Sequence, residues 1–221
     1  MSEVTATVEV MKYNDYAYLW PPRPELRVPR ELFQHYEKNQ WWAQTKKNGT
    51  CTVIFTNGTD VIYKTRRYNE DHKAWQPLEE HSRLFRRTSD GMWNVFVGEL
   101  LHNKTKHIKN HLYLFDLIAL GGQQLVGVSY AERYGMLSDV WPTRIKEGID
   151  DQMFVDEHLS VARCLLPHHK GEFAERFNNL KEEDEGLVLK DPKALLKPCF
   201  KEGLNGSWQV KSRIPTKNYG Y

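Results

Sequence analysis

Gln44-Thr45-Lys46-Lys47-Asn48-Gly49 is the stretch on which the reading of this chain turns. It ends in a turn dipeptide and leads into two β-branched runs, residues 51–56 and 60–64, separated by Asn57-Gly58. Both central positions of a type I′ turn need positive φ, which Asn and Gly tolerate, so a tight hairpin is predicted just after Lys46. Further alternating or apolar runs over 93–101, 111–120 and 154–166 extend this into antiparallel sheet.

Working outward, residues 1–40 read as a lead-in packed on the core. They hold a possible strand over 5–11, then Pro21, Pro22, Pro24 and Pro29, which enforce extended chain, and a short helix from 29 or 30 to 37. Downstream, Ser129-Tyr130-Ala131-Glu132 has the form of a capping box and predicts a helix to about Val140. Phe173, Ala174, Phe177 and Leu180 recur at helical spacing within 170–183. Strands and helices are mixed without the regular alternation of a parallel α/β protein, so the fold class is α+β, with residues 41–221 as one domain.

Composition is that of a globular protein, 40% hydrophobic and 27% charged. The 31 basic residues are nearly balanced by 29 acidic ones, so bulk charge gives no argument for nucleic acid. Cys51, Cys164 and Cys199 are scattered and odd in number, which encodes neither a disulfide framework nor a zinc pair and fits a reducing cytoplasm. No leader and no stretch approaching ~20 apolar residues is present, so neither secretion nor a membrane is expected. His102, His107, His111, His168 and His169 match no zinc spacing, and the basic run 104–111 is a candidate loop for phosphate contacts or simply a solvated one.

Taken alone, Lys46-Lys47-Asn48-Gly49 is what any turn between strands contains. Its weight comes from the ordered series downstream of it: Arg66-Arg67, Val97-Gly98-Glu99-Leu100, Tyr113-Leu114-Phe115-Asp116, Glu185-Gly186-Leu187-Val188-Leu189-Lys190 and Val210-Lys211-Ser212-Arg213. Over about residues 41–213 this series resembles the covalent nucleotidyltransferases: ATP-dependent DNA ligases, RNA ligases and mRNA-capping guanylyltransferases. The resemblance implies an adenylyltransferase (ATP-grasp-like ligase) core of antiparallel sheets flanked by helices.

It also implies roles. Lys46 becomes the AMP-accepting lysine, with Thr45 beside it and Gln44 where DNA ligases read the adenine amino group with a glutamate. Arg66 or Arg67, the spacing leaving both open, binds ribose and the incoming 5′-phosphate; Glu99 lies near the ribose. Phe115 and Val188 sandwich the base, and Lys211 binds phosphate.

Chemistry asks for more. An attacking amine must be unprotonated although a free lysine sits near pKa ~10.4, and Lys190, Lys211 and Arg213 are suited to lower it while holding phosphates. Releasing pyrophosphate calls for Mg²⁺ (or Mn²⁺), for which Glu185 is the first candidate ligand, with Asp116 and Glu99 as further carboxylates. A strand of strict period two would place Glu185 and Lys190 on opposite faces unless the chain bends at Gly186.

Three departures from the family pattern stand out. Asn48 replaces the usual aspartate, keeping its shape and acceptor oxygen but not its charge. Thr50 and Cys51 after the glycine look like RNA ligases, whereas Glu185 to Pro192 and Ser207-Trp208-Gln209-Val210-Lys211 look like DNA ligases. Only ten residues follow Lys211, so a C-terminal OB domain is not expected. The sequence therefore predicts a monomeric, minimal ATP-dependent polynucleotide ligase for nicked duplex DNA, RNA or hybrid, such as serves DNA repair. The alternatives are a nucleotide- or nucleic-acid-binding module without turnover and a capping-type guanylyltransferase.

Overall fold

The structure, a computed structural model, describes residues 21–66, 78–181, 183–198 and 204–215. The expected strand over 5–11, Arg67 and Cys199 lie outside the described residues. Two sheets form the frame. The smaller contains β1 (Leu26–Arg27), β2 (Trp42–Lys47), β11 (Asp184–Lys190) and β12 (Gln209–Arg213) in the order β1-β12-β11-β2. The larger contains β3 (Thr50–Thr56), β4 (Val61–Thr65), β5 (Asn94–Leu101), β6 (His111–Leu120), β8 (Arg144–Lys146), β9 (Ile149–Phe154) and β10 (Leu159–Ala162), ordered β4-β3-β5-β6-β10-β9-β8, with β7 (Gln123–Gln124) paired to β6. Pairing is antiparallel except for β1 with β12 and β10 with β6. The architecture is α+β, as the sequence predicts.

The chain passes from one sheet to the other at Asn48-Gly49, between β2 and β3. Gly49 is needed there because a Cβ would lie 2.5 Å from the Leu100 carbonyl oxygen. This crossing puts Lys46 in one sheet and the strand after it in the other, so a pocket forms between them.

Each sheet has its own core. In the larger one, Val53, Phe55, Val95, Val97, Leu114 and Leu117 pack against Phe85 of α2 (Glu79–Arg86) and Leu137 of α3 (Tyr130–Asp139). In the smaller one, Leu187, Leu189 and Val210 meet Phe33 of α1 (Phe33–Lys38) and Phe173 of α4 (Glu172–Asn178). Phe33 meets Phe173 and Phe177 edge to face, with ring centroids 6.4 and 5.5 Å apart. Fully burying such a ring contributes roughly 2 kcal/mol, and truncation to alanine costs about 3–5 kcal/mol.

The predicted capping box is present: Glu132 N donates to Ser129 Oγ and Ser129 N to the Glu132 carboxylate, which ends the search for partners at the start of α3. Elsewhere the local signals misled. Asn57-Gly58 does join the predicted hairpin of β3 and β4, but not as a two-residue turn. Gly58 has φ +89°, but Asn57 is not among the positive-φ residues, and its side chain accepts from Thr59 N and Asp60 N to close a four-residue loop. The run 154–166 is broken because Asp156 accepts from His158 N and Leu159 N, turning the chain between β9 and β10. Helix α4 covers only the centre of 170–183, starting after Gly171 with φ +96°. No described helix is long and apolar enough to cross a membrane.

Candidate active site

A cavity of about 570 Å³ lies between the two sheets. Its floor is the β2–β11 pair, in which Lys46 stands opposite Gly186 and Lys47 opposite Asp184. Two residues on β2 therefore face three on β11, and Glu185 is the extra one. This is a β-bulge, which bends a strand and re-aims a side chain. Gly186 has φ +146°, and a Cβ there would collide with the Ser212 carbonyl, so glycine is required twice over. The bulge resolves the period-two conflict, and Glu185, Val188 and Lys190 all line the cavity.

At its centre the Lys46 ammonium pairs with Glu185 Oε2, which also meets Arg213 Nη2 at 3.3 Å. Lys47, one residue on, also borders the cavity, but its ammonium is buried against carboxylates. Its ammonium is 2.7 Å from Asp184 and 2.6 Å from Asp151, the latter not aligned as a hydrogen bond. Burial works against the Lys47 charge, but the two carboxylates outweigh it and raise its pKa.

Glu99 accepts a 3.0 Å hydrogen bond from Gly49 N, at the crossing between sheets. Burial pushes its carboxyl up to about 7, against the pull of Lys46 and Lys104. Lys104 donates to the Gly49 carbonyl at 2.5 Å, and Lys109 donates to His102 and Thr105 carbonyls. Two lysines of the basic run 104–111 thus hold backbone carbonyls of their own surroundings, and Lys104 also lines the cavity.

The other end is aromatic and apolar. Phe115 and Val188 line it with Gln44, whose amide nitrogen donates to the Ala162 carbonyl. Lys190 lies beneath, its ammonium donating to the Phe115 carbonyl at 3.2 Å and to the Tyr130 hydroxyl at 3.1 Å. Burial depresses it to about 8. Lys190 stands opposite Trp42, four positions along β11 from Gly186, or ~13 Å at the rise of a strand. Lys211 is likewise pushed down to about 8, by burial first and then by Arg213, Arg23, Arg27 and Lys46.

Three solved structures share this arrangement of sheets. The ligase domain of LigD from M. tuberculosis matches 90% of this chain and 60% of its own length, at 18% identity and a TM-score of 0.57. Mycobacterial DNA ligase D complexed with ATP and MES matches 92% and 62%, at 18% identity and 0.55. The ATP-dependent DNA ligase from bacteriophage T7, in complex with ATP, matches 90% and 69%, at 15% identity and 0.52. The fold is that of a DNA ligase catalytic domain. The chain spans about three fifths of the length of the two mycobacterial proteins. No family model and no curated protein matches the sequence.

Within this ligase fold, Gln44, Thr45, Lys46, Arg66, Glu99, Phe115, Glu185, Val188, Lys190, Lys211 and Arg213 come together around one cavity. Asp116 does not. It is buried, with Arg133 donating to its two oxygens at 3.0 and 3.2 Å and Leu117 N at 2.9 Å. Asp116 neutralises a fully buried arginine, which corrects its assignment as a metal ligand. Sequence reasoning missed Pro22, Arg23, Pro24 and Lys104 as cavity wall. A proline-rich run announces extended chain but carries no signal of what it will pack against.

Proposed function

We propose that the protein is an ATP-dependent polynucleotide ligase that seals 5′-phosphate and 3′-hydroxyl ends through a lysyl-AMP on Lys46. One observation carries this: Lys46 stands on the floor of a single cavity that is lined both by cations, Lys211 and Arg213, and by aromatic and apolar groups, Phe115 and Val188. That is the complement of a nucleoside triphosphate, a flat base attached to a polyanion.

In this reading Phe115 and Val188 enclose the adenine and the Gln44 carbonyl can accept from its amino group. Glu99 accepts from a ribose hydroxyl and Arg66 contributes positive charge. The Lys46 nitrogen, once it has lost a proton, forms a bond to the α-phosphorus as the bond to pyrophosphate breaks. Lys211 and Arg213 balance charge on the phosphates. A 5′-phosphate oxygen then displaces Lys46 from AMP, and a 3′-hydroxyl displaces AMP to leave the phosphodiester.

Among the described residues no group of three or more His, Cys, Asp and Glu could hold a metal. The donor set therefore fits Mg²⁺ bound by a single carboxylate with waters and phosphate oxygens, the manner in which that ion is commonly held. Glu185 is the carboxylate that would hold it, and the ion would offset charge on the departing pyrophosphate.

The test is incubation with Mg²⁺ and α-labelled ATP or GTP, followed by denaturation. Label from ATP that persists, and is absent in Lys46→Ala, supports the ligase. Label from GTP alone would mean capping, and none at all a binding module. Nicked DNA, RNA and hybrid duplexes then separate the substrates.

A further inference from the structure

Pro22, Arg23 and Pro24 form part of the cavity wall, although they precede Lys46 by more than twenty positions. Lys211 holds this segment through both its main chain and its side chain. β1 pairs in parallel with β12, putting Arg27 opposite Lys211. Val28 N donates to the Lys211 carbonyl at 3.0 Å, and the Lys211 ammonium donates to the Pro24 carbonyl at 2.8 Å. Pro21, Pro22 and Pro24 fix φ, so the wall is held in place with little backbone freedom left to lose when a ligand arrives.

Arg23 stands where the two sheets approach one another. Its charge is felt at Lys211 on β12 in the smaller sheet and at Cys51 on β3 in the larger one. Around the same cavity are Lys46, Lys47, Arg66, Lys104, Lys190, Lys211 and Arg213, against Glu99 and Glu185 among the described residues. Asp151 and Asp184 answer Lys47 from outside the cavity, and the rest remains strongly positive. Crowded cations of this kind are unfavourable until an anion of several charges enters. Arginine suits that anion because its planar fork can give two parallel hydrogen bonds to a phosphate.

We propose that Arg23 binds the phosphate chain of the nucleotide together with Lys211, which makes the segment 22–24 part of the adenylation site rather than a lead-in to it. This rests on the reading of the cavity as an ATP site. It does not rest on turnover.

The experiment is equilibrium titration of the full chain with ATP and, separately, with adenosine, for wild type, Arg23→Ala and Arg23→Lys, alongside thermal melting. Losing charged hydrogen bonds to phosphate is expected to weaken ATP binding about tenfold or more in Arg23→Ala. Adenosine binding and the melting temperature stay unchanged, and Arg23→Lys recovers part of the loss. Equal weakening of ATP and adenosine would overturn the proposal, since Arg23 would then only shape the wall. Unchanged ATP binding in Arg23→Ala overturns it as well, as does a wild type that binds no ATP. A wild type that binds ATP through Arg23 yet forms no lysyl-AMP supports it while refuting the ligase.

Discussion

The two faces of β2 treat neighbouring lysines in opposite ways. Lys46 points into the cavity, its side chain 17% exposed, and shares a carboxylate partner, Glu185, with Arg213. Lys47 is 2% exposed and has two carboxylates, Asp151 and Asp184, with the Tyr113 ring 5.6 Å away. The strand's period of two is what separates them. The Lys46 charge shares its carboxylate with a second cation, while Lys47 is held between two carboxylates of its own.

The strongest way to break this comparison is to exchange the two in the labelling assay. Lys46→Ala is expected to lower covalent label by at least about a thousandfold, because the nucleophile itself is gone. Lys47→Met should keep label at temperatures where it stays folded. Loss of label in a folded Lys47→Met would collapse the distinction between the two faces.

Stability should run the other way. Removing Lys47 leaves two buried carboxylates unpaired, a loss of about 3–5 kcal/mol by denaturant unfolding. Lys46→Met, at a site open to water, should cost less than about 1 kcal/mol.

His111 sharpens the point, because burial outweighs the pull of the nearby Asp156 carboxylate. It faces the Glu157 carbonyl at 3.1 Å and Ser160 Oγ at 2.7 Å, and burial depresses it to about 4. Lys47 meets burial with partners, whereas His111 meets it by discharging. Since its folded pKa lies below the unfolded value of ~6.5, its contribution is complete above that pH and is lost as pH falls toward 4, by roughly 3 kcal/mol. Unfolding from pH 8 to 4 should show this slope, and His111→Asn should flatten it.

The smallest effect concerns the apolar end of the cavity. Phe115→Ala should weaken ATP binding by about five- to tenfold with little change in the rate at saturation, since stacking contributes ~1 kcal/mol in either state. A large fall in the saturated rate instead would mean that Phe115 positions Lys46 and not the base.

Much of the site is legible in the sequence. The order of motifs foretells which side chains share a cavity, because each motif sits on a strand whose neighbours converge there. A bend at Gly186 is what would relieve the conflict between Glu185 and Lys190, and the structure has a bulge there. What could not be read was set by distant partners. Asp116 looks like a metal carboxylate until Arg133, seventeen positions on, is found donating to both of its oxygens. Asn57-Gly58 has the composition of a tight turn, yet the Asn57 side chain captures two backbone amides and lengthens it. Arg23 gave no local sign at all, since its place depends on β1 pairing with a strand nearly two hundred residues away.

That last pairing has a consequence for how the chain comes to be folded. The Lys211–Pro24 bond spans 187 positions and the Lys46–Glu185 contact 139. Contacts so remote in sequence must wait for large loops to close, so the cavity is among the last features to form, and folding is expected to be slow. On the ribosome, Lys46 emerges early but has no floor beside it until residue 190, nor a complete wall until residue 213, has been made. The cavity is thus completed in a single late step, and any binding to it would report whether both sheets have closed on each other.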